Sequence, residues 1–274
     1  MSLHIILLMQ FTTRTLRAHN QKERDNLKAI VLAAGYATRL YPLTINKPKA
    51  LLTIGKETIL DFVINEITTI PEVDEIYIVT NDRFYEQFCH WNKLSNKKVK
   101  ITVLNDNTTD DATKLGAIGD IQFVIDQMNI DDDLLVMASD NIFTFKLLDF
   151  YKEFRNKNKD MILVSKIENR EDLKRMANVV MNADGKVLDM VEKPAEPISD
   201  FAAFASYFYT RDTVPMIKEY LDQGNNPDAP GFFPSWLFRQ KDVYAYSFTG
   251  ECYDIGTPQA YKEVGEIFKD GVIS

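Results

Sequence analysis

The sequence predicts an α/β fold: a mixed, mostly parallel sheet with helices on both faces. Three observations carry that expectation. Short apolar runs alternate with helix-length amphipathic stretches, the pattern of strands joined by covering helices. The first run, LKAIVLA (27–33), is apolar without a break, as a strand covered on both faces must be. Finally, 45% apolar and 26% charged residues over 274 positions suit a globular chain with a generous core.

The elements follow in order. TILDFVINEI (58–67) carries Ile59, Phe62, Val63 and Ile67 at helical spacing, with Thr58 and Asp61 placed as a capping box. DEIYIVT (74–80) is a strand, DRFYEQFCHWNKL (82–94) a helix and VKITVL (99–104) a third strand. GAIGDIQFVIDQM (116–128) is a helix, and DLLVMA (133–138) a fourth strand that runs into Ser139-Asp140-Asn141. KLLDFYKEFRNKN is helical and MILVSKI (161–167) a fifth strand. NVVMNADGKVLDMVEKP (178–194) alternates as a hairpin that turns at Asp184-Gly185. AAFASYFYT (202–210) is a strand, with helices near 212–222 and 232–240 and a returning strand at VYAYSF (243–248). The last helix, TPQAYKEVGEIF (257–268), has Thr257 as N-cap, Pro258 at its first position, and Tyr261, Val264 and Ile267 on one face. No repeat or interdomain linker interrupts this order, so one domain is expected over 27–274.

Composition removes several function classes. A net charge of −8 opposes non-specific nucleic-acid binding, which needs a basic surface. Cys89 and Cys252 are too far apart for a metal-ligand spacing and point to a reducing compartment. His4, His19 and His90 are equally scattered, which leaves no zinc pattern. The opening MSLHIILLMQF is too short to span a membrane and lacks a cleavage pattern. Residues 1–26 therefore read as an extension or linker, and a cytoplasmic location is the default expectation.

Chemistry concentrates in VLAAGYATRLYPLTINKPK (31–49). A buried strand empties into a small-residue loop whose backbone N–H groups can face an anion, and Arg39 and Lys49 can neutralise more of its charge. Ligands of open α/β sheets lie beyond the carboxyl ends of the strands, where this loop and Asp140 both fall. Asp254, in CYDIGTP, precedes a capped helix, and Glu192-Lys193 ends the hairpin at Pro194. Two carboxylates and three cations are the parts of phosphoryl or nucleotidyl transfer, with Mg²⁺ between the carboxylates and the phosphate oxygens. Each part also has a plain structural reading: a turn, surface charges at Arg39, Lys49 and Lys193, a helix cap at Asp140, a turn residue at Asp254. Their order along one chain favours the chemical one.

The string L-A-A-G-x-x-T-R-L-x-P-L-T…K-P-K-A-L-L resembles the signature of the sugar-1-phosphate nucleotidyltransferases, the glucose-1-phosphate thymidylyltransferase and uridylyltransferase family. SDNIF (139–143), VEKP (191–194) and YDIGTP (253–258) resemble its later motifs in order, from about residue 27 to 270. The resemblance implies a Rossmann-like fold of the nucleotide-diphospho-sugar transferase type. It also implies Mg²⁺-dependent attack of a sugar 1-phosphate on the α-phosphorus of a nucleoside triphosphate. Ala33, Ala34, Gly35 and Thr38 would wrap the nucleotide phosphates, with Asn105 and Gly116 on the base side. Arg39 and Lys49 would steady the departing pyrophosphate, and Asp140 and Asp254 would bind the metal. Lys193 would grip the sugar phosphate, with Asn178 and Glu192 on the sugar hydroxyls. Two departures stand out: Ala37 replaces a loop glycine, and Asn178 stands where glycine is usual. Base and sugar stay open.

Two rivals remain. A cytidylyltransferase acting on phosphocholine could cage the quaternary ammonium with Tyr207, Tyr209 and Trp236. A non-catalytic nucleotide-sugar-binding subunit is the other, although Arg39, Lys49, Asp140, Lys193 and Asp254 are all present. Expected partners are the two small substrates, with no nucleic acid or membrane and a homodimer allowed.

Overall fold

A computed structural model describes residues 26–268 of the chain; the expected extension, apart from Asn26, lies outside the described residues. Nine strands form one twisted sheet: β1 (Leu27–Leu32), β2 (Val73–Thr80), β3 (Lys100–Asn105), β4 (Asp133–Ala138), β5 (Asp160–Lys166), β6 (Ala177–Met181), β7 (Val187–Glu192), β8 (Phe201–Tyr209) and β9 (Val243–Ser247). The order along the main path is β7-β6-β8-β4-β1-β2-β3, with β5 paired to both β8 and β9. Strands β4, β1, β2 and β3 are parallel neighbours, and β8 joins β4, β5 and β6 antiparallel. A mixed, mostly parallel sheet is what the sequence predicts, and the half that carries the motif loop is parallel.

Helices cover both faces. In β1, Leu27, Ala29 and Val31 face the core that holds Leu60, Val63, Ile64 and Ile67 of α1 (Ile59–Ile67). The same core takes Phe88 of α2 (Tyr85–Leu94) and Phe150 and Phe154 of α4 (Leu147–Lys157). Ile30 faces the opposite core, built by α3 (Ala117–Met128), α6 (Val214–Asp222) and α7 (Phe232–Leu237). Burial on alternating sides is why β1 reads as an unbroken apolar run. The expected capping box forms in full: Asp61 N–H donates to Thr58 Oγ1 at 3.1 Å, and Thr58 N–H donates back to Asp61 Oδ2 at 2.9 Å. A short helix α5 (Arg170–Leu173), capped by Asn169, has no sequence periodicity that would reveal it.

A third, smaller core explains how the two ends of the chain meet. Leu40 of the motif loop, Ile59 of α1, Ile142, Ile255 and Val264 of α8 (Pro258–Ile267) pack together. Phe268 also enters this core, whereas Ile267 is 39% exposed. The expected apolar face of α8 is thus corrected at its last turn: Tyr261 and Val264 pack inward, and Phe268 takes the place assigned to Ile267. A two-stranded ribbon, Asn141–Phe143 with Cys252–Asp254, rides on this core.

Gly116, expected on the base side of a nucleotide, has a structural reason to be glycine. Its φ is +81°, and a Cβ there would sit 2.5 Å from the Pro227 carbonyl oxygen. The first-turn amides of α3 are also taken, with Ala117 N–H on Asp228 O at 3.0 Å and Ile118 N–H on Pro227 O at 2.9 Å. Gly116→Ala is expected to lower stability by about 2–5 kcal/mol, summing left-handed strain and overpacking; urea unfolding measures it, and a loss below about 1 kcal/mol would contradict this packing. Among the described residues no helix is long and apolar enough to cross a membrane.

Candidate active site

The parallel strands end together. Leu32 lies opposite Val79 and Ala138, and Thr80 opposite Asn105, so the loops after β1, β2, β3 and β4 leave from one edge of the sheet. The loop after β1 is held from behind by its carbonyls. Asn81, fully buried, donates its amide to Ala34 O at 2.8 Å. Thr44, also fully buried, donates its hydroxyl to Ala37 O at 2.8 Å. Ala37 itself is left-handed at φ +47° and opens a 3-10 turn over Thr38–Leu40. The expected glycine position therefore keeps its glycine-like backbone although it carries a Cβ.

The carbonyls of Ala34, Ala37 and Thr38 are bound, while the loop amides are not. Among the described residues, no backbone N–H from Ala34 to Arg39 has a partner within the protein. Six such groups in succession are donors open to an anion in the cleft. Ala33 lines the cleft, but its N–H extends the ladder to Val79 O at 2.9 Å. A Cβ at Gly35 would meet nothing within 4 Å, so the fold itself does not require glycine there.

The cleft beyond this loop is lined by Ala33, Gly35, Ala37, Arg39, Lys49, Ser139, Asp140 and Gly256. Its cavity of about 180 Å³ is below the roughly 300–1,000 Å³ of whole small-molecule pockets, a size for phosphates rather than for an entire nucleotide. Lys49 Nζ pairs with Asp140 Oδ2 at 2.9 Å. The lysine side chain is only 10% exposed, which makes a counter-charge necessary, while the carboxylate remains 37% exposed to the cleft. Arg39 is exposed at the rim. The ribbon sets Asp254 opposite Asn141 in antiparallel register, beside Asp140 in the chain. Residues more than one hundred positions apart in sequence thereby reach the same edge.

Other expected site residues stand elsewhere. Asn178 does not offer its side chain to a ligand: it is fully buried, donates to Leu173 O at 2.7 Å and Met176 O at 3.1 Å, and accepts from Ile198 N–H at 3.3 Å. Its amide ties the hairpin base, a need that glycine would not meet. Asn105 is engaged locally, donating to Asp82 Oδ1 at 2.8 Å and accepting from Asn107 N–H at 2.8 Å. Glu192 and Lys193 end β7 outside the cavity, with Lys193 Nζ 3.9 Å from Glu192 Oε1. Lys193 is left-handed at φ +48° and exposed. Burial pushes the Glu192 carboxyl upward, against the lowering effect of Lys193. A Cβ on Gly231 would fall 2.0 Å from Glu192 Oε2. Since Gly116 abuts Pro227 and Asp228, the segment 227–231 connects the loop before α3 to Glu192.

Sequence reasoning missed Asn81, Thr44 and Ser139. Asn81 carries a usable signal, a polar side chain directly after an apolar strand that ends beside the motif loop. Thr44 carries a weaker one, since nothing local distinguishes its hydroxyl from that of a surface threonine.

The nucleotidyl transferase family model matches residues 28–270. A Sulfolobus acidocaldarius protein named as a mannose-1-phosphate guanyltransferase is 28% identical over 240 residues, 87% of this chain and 62% of that one. Glucose-1-phosphate adenylyltransferase of Clostridium novyi is 27% identical over 256 residues, 85% of this chain and 64% of that one. The chain thus spans slightly under two thirds of the length of these curated relatives. A UDP-glucose pyrophosphorylase solved with UDP-glucose superposes with a TM-score of 0.74 at 19% identity, covering 88% of this chain and 98% of that one, a likeness of fold. The chain belongs to the nucleotidyl transferase family.

Proposed function

We propose that this chain is a Mg²⁺-dependent nucleotidyltransferase that joins a nucleoside triphosphate to a sugar 1-phosphate and releases pyrophosphate. The observation that carries the reading is the run of open amides from Ala34 to Arg39 set beside Lys49 and Asp140 in one cleft. Among the described residues, six consecutive N–H groups without partners and a mostly buried ammonium line the same cleft. The relatives add weight, because each is named for transfer of a nucleotide to a hexose 1-phosphate.

In this reading the loop amides hold the triphosphate and fix its direction. A phosphate oxygen of the sugar 1-phosphate attacks the α-phosphorus, and the bond to the oxygen that bridges to the β-phosphorus breaks in line. The protein supplies alignment and charge neutralisation rather than a covalent intermediate. Arg39 and Lys49 take up the negative charge that grows on the leaving pyrophosphate. Lys193 binds the sugar phosphate, and Glu192, beside it, accepts hydrogen bonds from sugar hydroxyls. Asp140 and Asp254 would hold a hard divalent ion of the magnesium type, which takes one or two carboxylates together with phosphate oxygens. Such an ion, when bound, screens the phosphate oxygens from the attacking anion.

The phosphocholine rival needs an aromatic cage, but Tyr207 and Tyr209 are 2% and 1% exposed and stack on each other at 5.9 Å within the core. Residues 27–274 make up the proposed catalytic domain and 1–26 an extension to it, and the cytoplasm is the proposed location.

Two experiments test this reading. Pyrophosphate release is measured for ATP, GTP, UTP, dTTP and CTP against a panel of sugar 1-phosphates and phosphocholine. Turnover with at least one sugar 1-phosphate is expected, and turnover with phosphocholine alone would overturn the proposal. Thr44→Val is expected to raise the triphosphate KM about fivefold, the value of roughly 1 kcal/mol for one hydrogen bond, with Thr44→Ser near the parent. An unchanged KM in the valine variant would remove Thr44 from the support of the loop.

A further inference from the structure

Behind the phosphate loop lies a buried polar cluster that the proposed chemistry does not use. Asp106, just past β3, and Asp120, in the first turn of α3, are 7% and 6% exposed, and each lies close enough to act on the other's carboxyl. Two carboxylates buried this close repel unless one carries a proton that can bridge them. Asp106 Oδ1 accepts from both the N–H and the hydroxyl of Thr108, each at 2.7 Å. Asp106 Oδ2 and Asp120 Oδ1 are buried without a hydrogen-bond partner. Neither carboxyl has an ion pair among the described residues. Burial, then Asp106, pushes Asp120 up to about 8, and burial also raises Asp106.

Thr108 brings this pair close to the loop after β1. Tyr36, between Gly35 and Ala37, buries its hydroxyl near Thr108 without an aligned partner. The other charged groups around the cluster are Asp82, which acts on Asp106, and Asp110 and Arg83, which act on Tyr36. From the side of β2, Thr108 O accepts Asp82 N–H at 3.0 Å, and Asp106 N–H reaches Thr80 O at 2.9 Å.

We propose that the proton-bridged Asp106–Asp120 pair is a positioning device for triphosphate binding: it seats Thr108 beneath Tyr36 and so fixes the direction of the loop amides. Loss of the bridging proton leaves two buried anions that repel, Thr108 shifts, and the loop loses its support. Triphosphate affinity then falls as the pH passes the upper titration of the pair. Asp120→Asn keeps a donor to Asp106 and removes the titration.

The proposal rests on the reading of loop 34–39 as a phosphate site, and the test separates the two. Wild type and Asp120→Asn are compared from pH 6.5 to 9.5 by calorimetric titration with inorganic tripolyphosphate and, without ligand, by thermal melting. The unfolded Asp120 ionises near its ordinary value of about 4, so the folded pair holds the extra proton and its stability contribution declines from about pH 4 to 8, then levels off. The melting temperature of Asp120→Asn should therefore pull ahead of wild type up to about pH 8 and no further. The affinity ratio of variant to wild type should rise about tenfold between pH 7 and 9. A flat ratio with normal binding at pH 7, or a melting difference independent of pH, overturns the proposal alone. Absence of tripolyphosphate binding to both proteins at pH 7 overturns the phosphate-loop reading and this proposal with it. Should Asp120→Asn not fold, Asp106→Asn provides the mirror amide–carboxylate pair under the same expectations.

Discussion

Lys49→Met is expected to lower kcat by about 10²- to 10³-fold, the usual cost of deleting one preorganised donor to developing transition-state charge. The magnitude follows from placement. The ammonium is held at 10% exposure in the cleft that carries the loop amides, where water screens it little. Methionine keeps most of the volume and flexibility of the stem, and the abandoned partner, Asp140, is 37% exposed and can be solvated. Melting temperature should therefore move by only a few degrees while pyrophosphate release collapses. Lys49→Arg tests geometry: a planar fork replaces a compact charge, and partial recovery, not full activity, is expected. A Lys49→Met enzyme that turns over at more than about a tenth of the parental rate would show that the charge on the leaving group is met elsewhere.

The reach of the sequence was uneven for physical reasons. The strands of the parallel half and helices α1, α3 and α4 were legible because each combines an apolar period with a cap or a clean end, as Thr58–Asp61 illustrates. The hairpin turn at Asp184-Gly185 was equally plain, with Gly185 at φ +81°. Helix α5 was not, since four residues carry no period, and Ile267 was misplaced because the last turn of α8 rotates Phe268 inward instead. At the site, the pattern of small residues located the loop, but only the folded chain reveals which groups the loop leaves open. Ala33 looks like its neighbours in sequence, yet its amide belongs to the sheet. Asn178 and Gly116 were assigned to ligands by position. Both serve the scaffold, one by tying three backbone groups and the other by admitting Pro227 and Asp228 at close range. The Asp106–Asp120 pair was illegible, since nothing in two separated acidic residues announces that α3 will press one against the other.

Asp140→Asn is expected to abolish metal-dependent pyrophosphate release, with a loss of at least about 10³-fold, while leaving the fold intact. The amide is isosteric and still accepts a hydrogen bond from Lys49 through its oxygen, so packing around the turn after β4 is preserved. What disappears is the formal charge that a hard dication requires, together with half of a two-carboxylate donor set. Asp254→Asn should behave in the same way, because the ribbon register sets residue 254 opposite Asn141, the neighbour of Asp140. Normal turnover in either variant would take that residue out of the metal site.

Convergence on one cation can be measured without turnover. Mn²⁺ is titrated into the wild-type chain in the presence of a saturating triphosphate, and free metal is counted by electron paramagnetic resonance. One tight Mn²⁺ per chain that depends on the triphosphate, and that Asp140→Asn and Asp254→Asn each eliminate, is the predicted result. Retention of full-strength Mn²⁺ binding by either variant would contradict it.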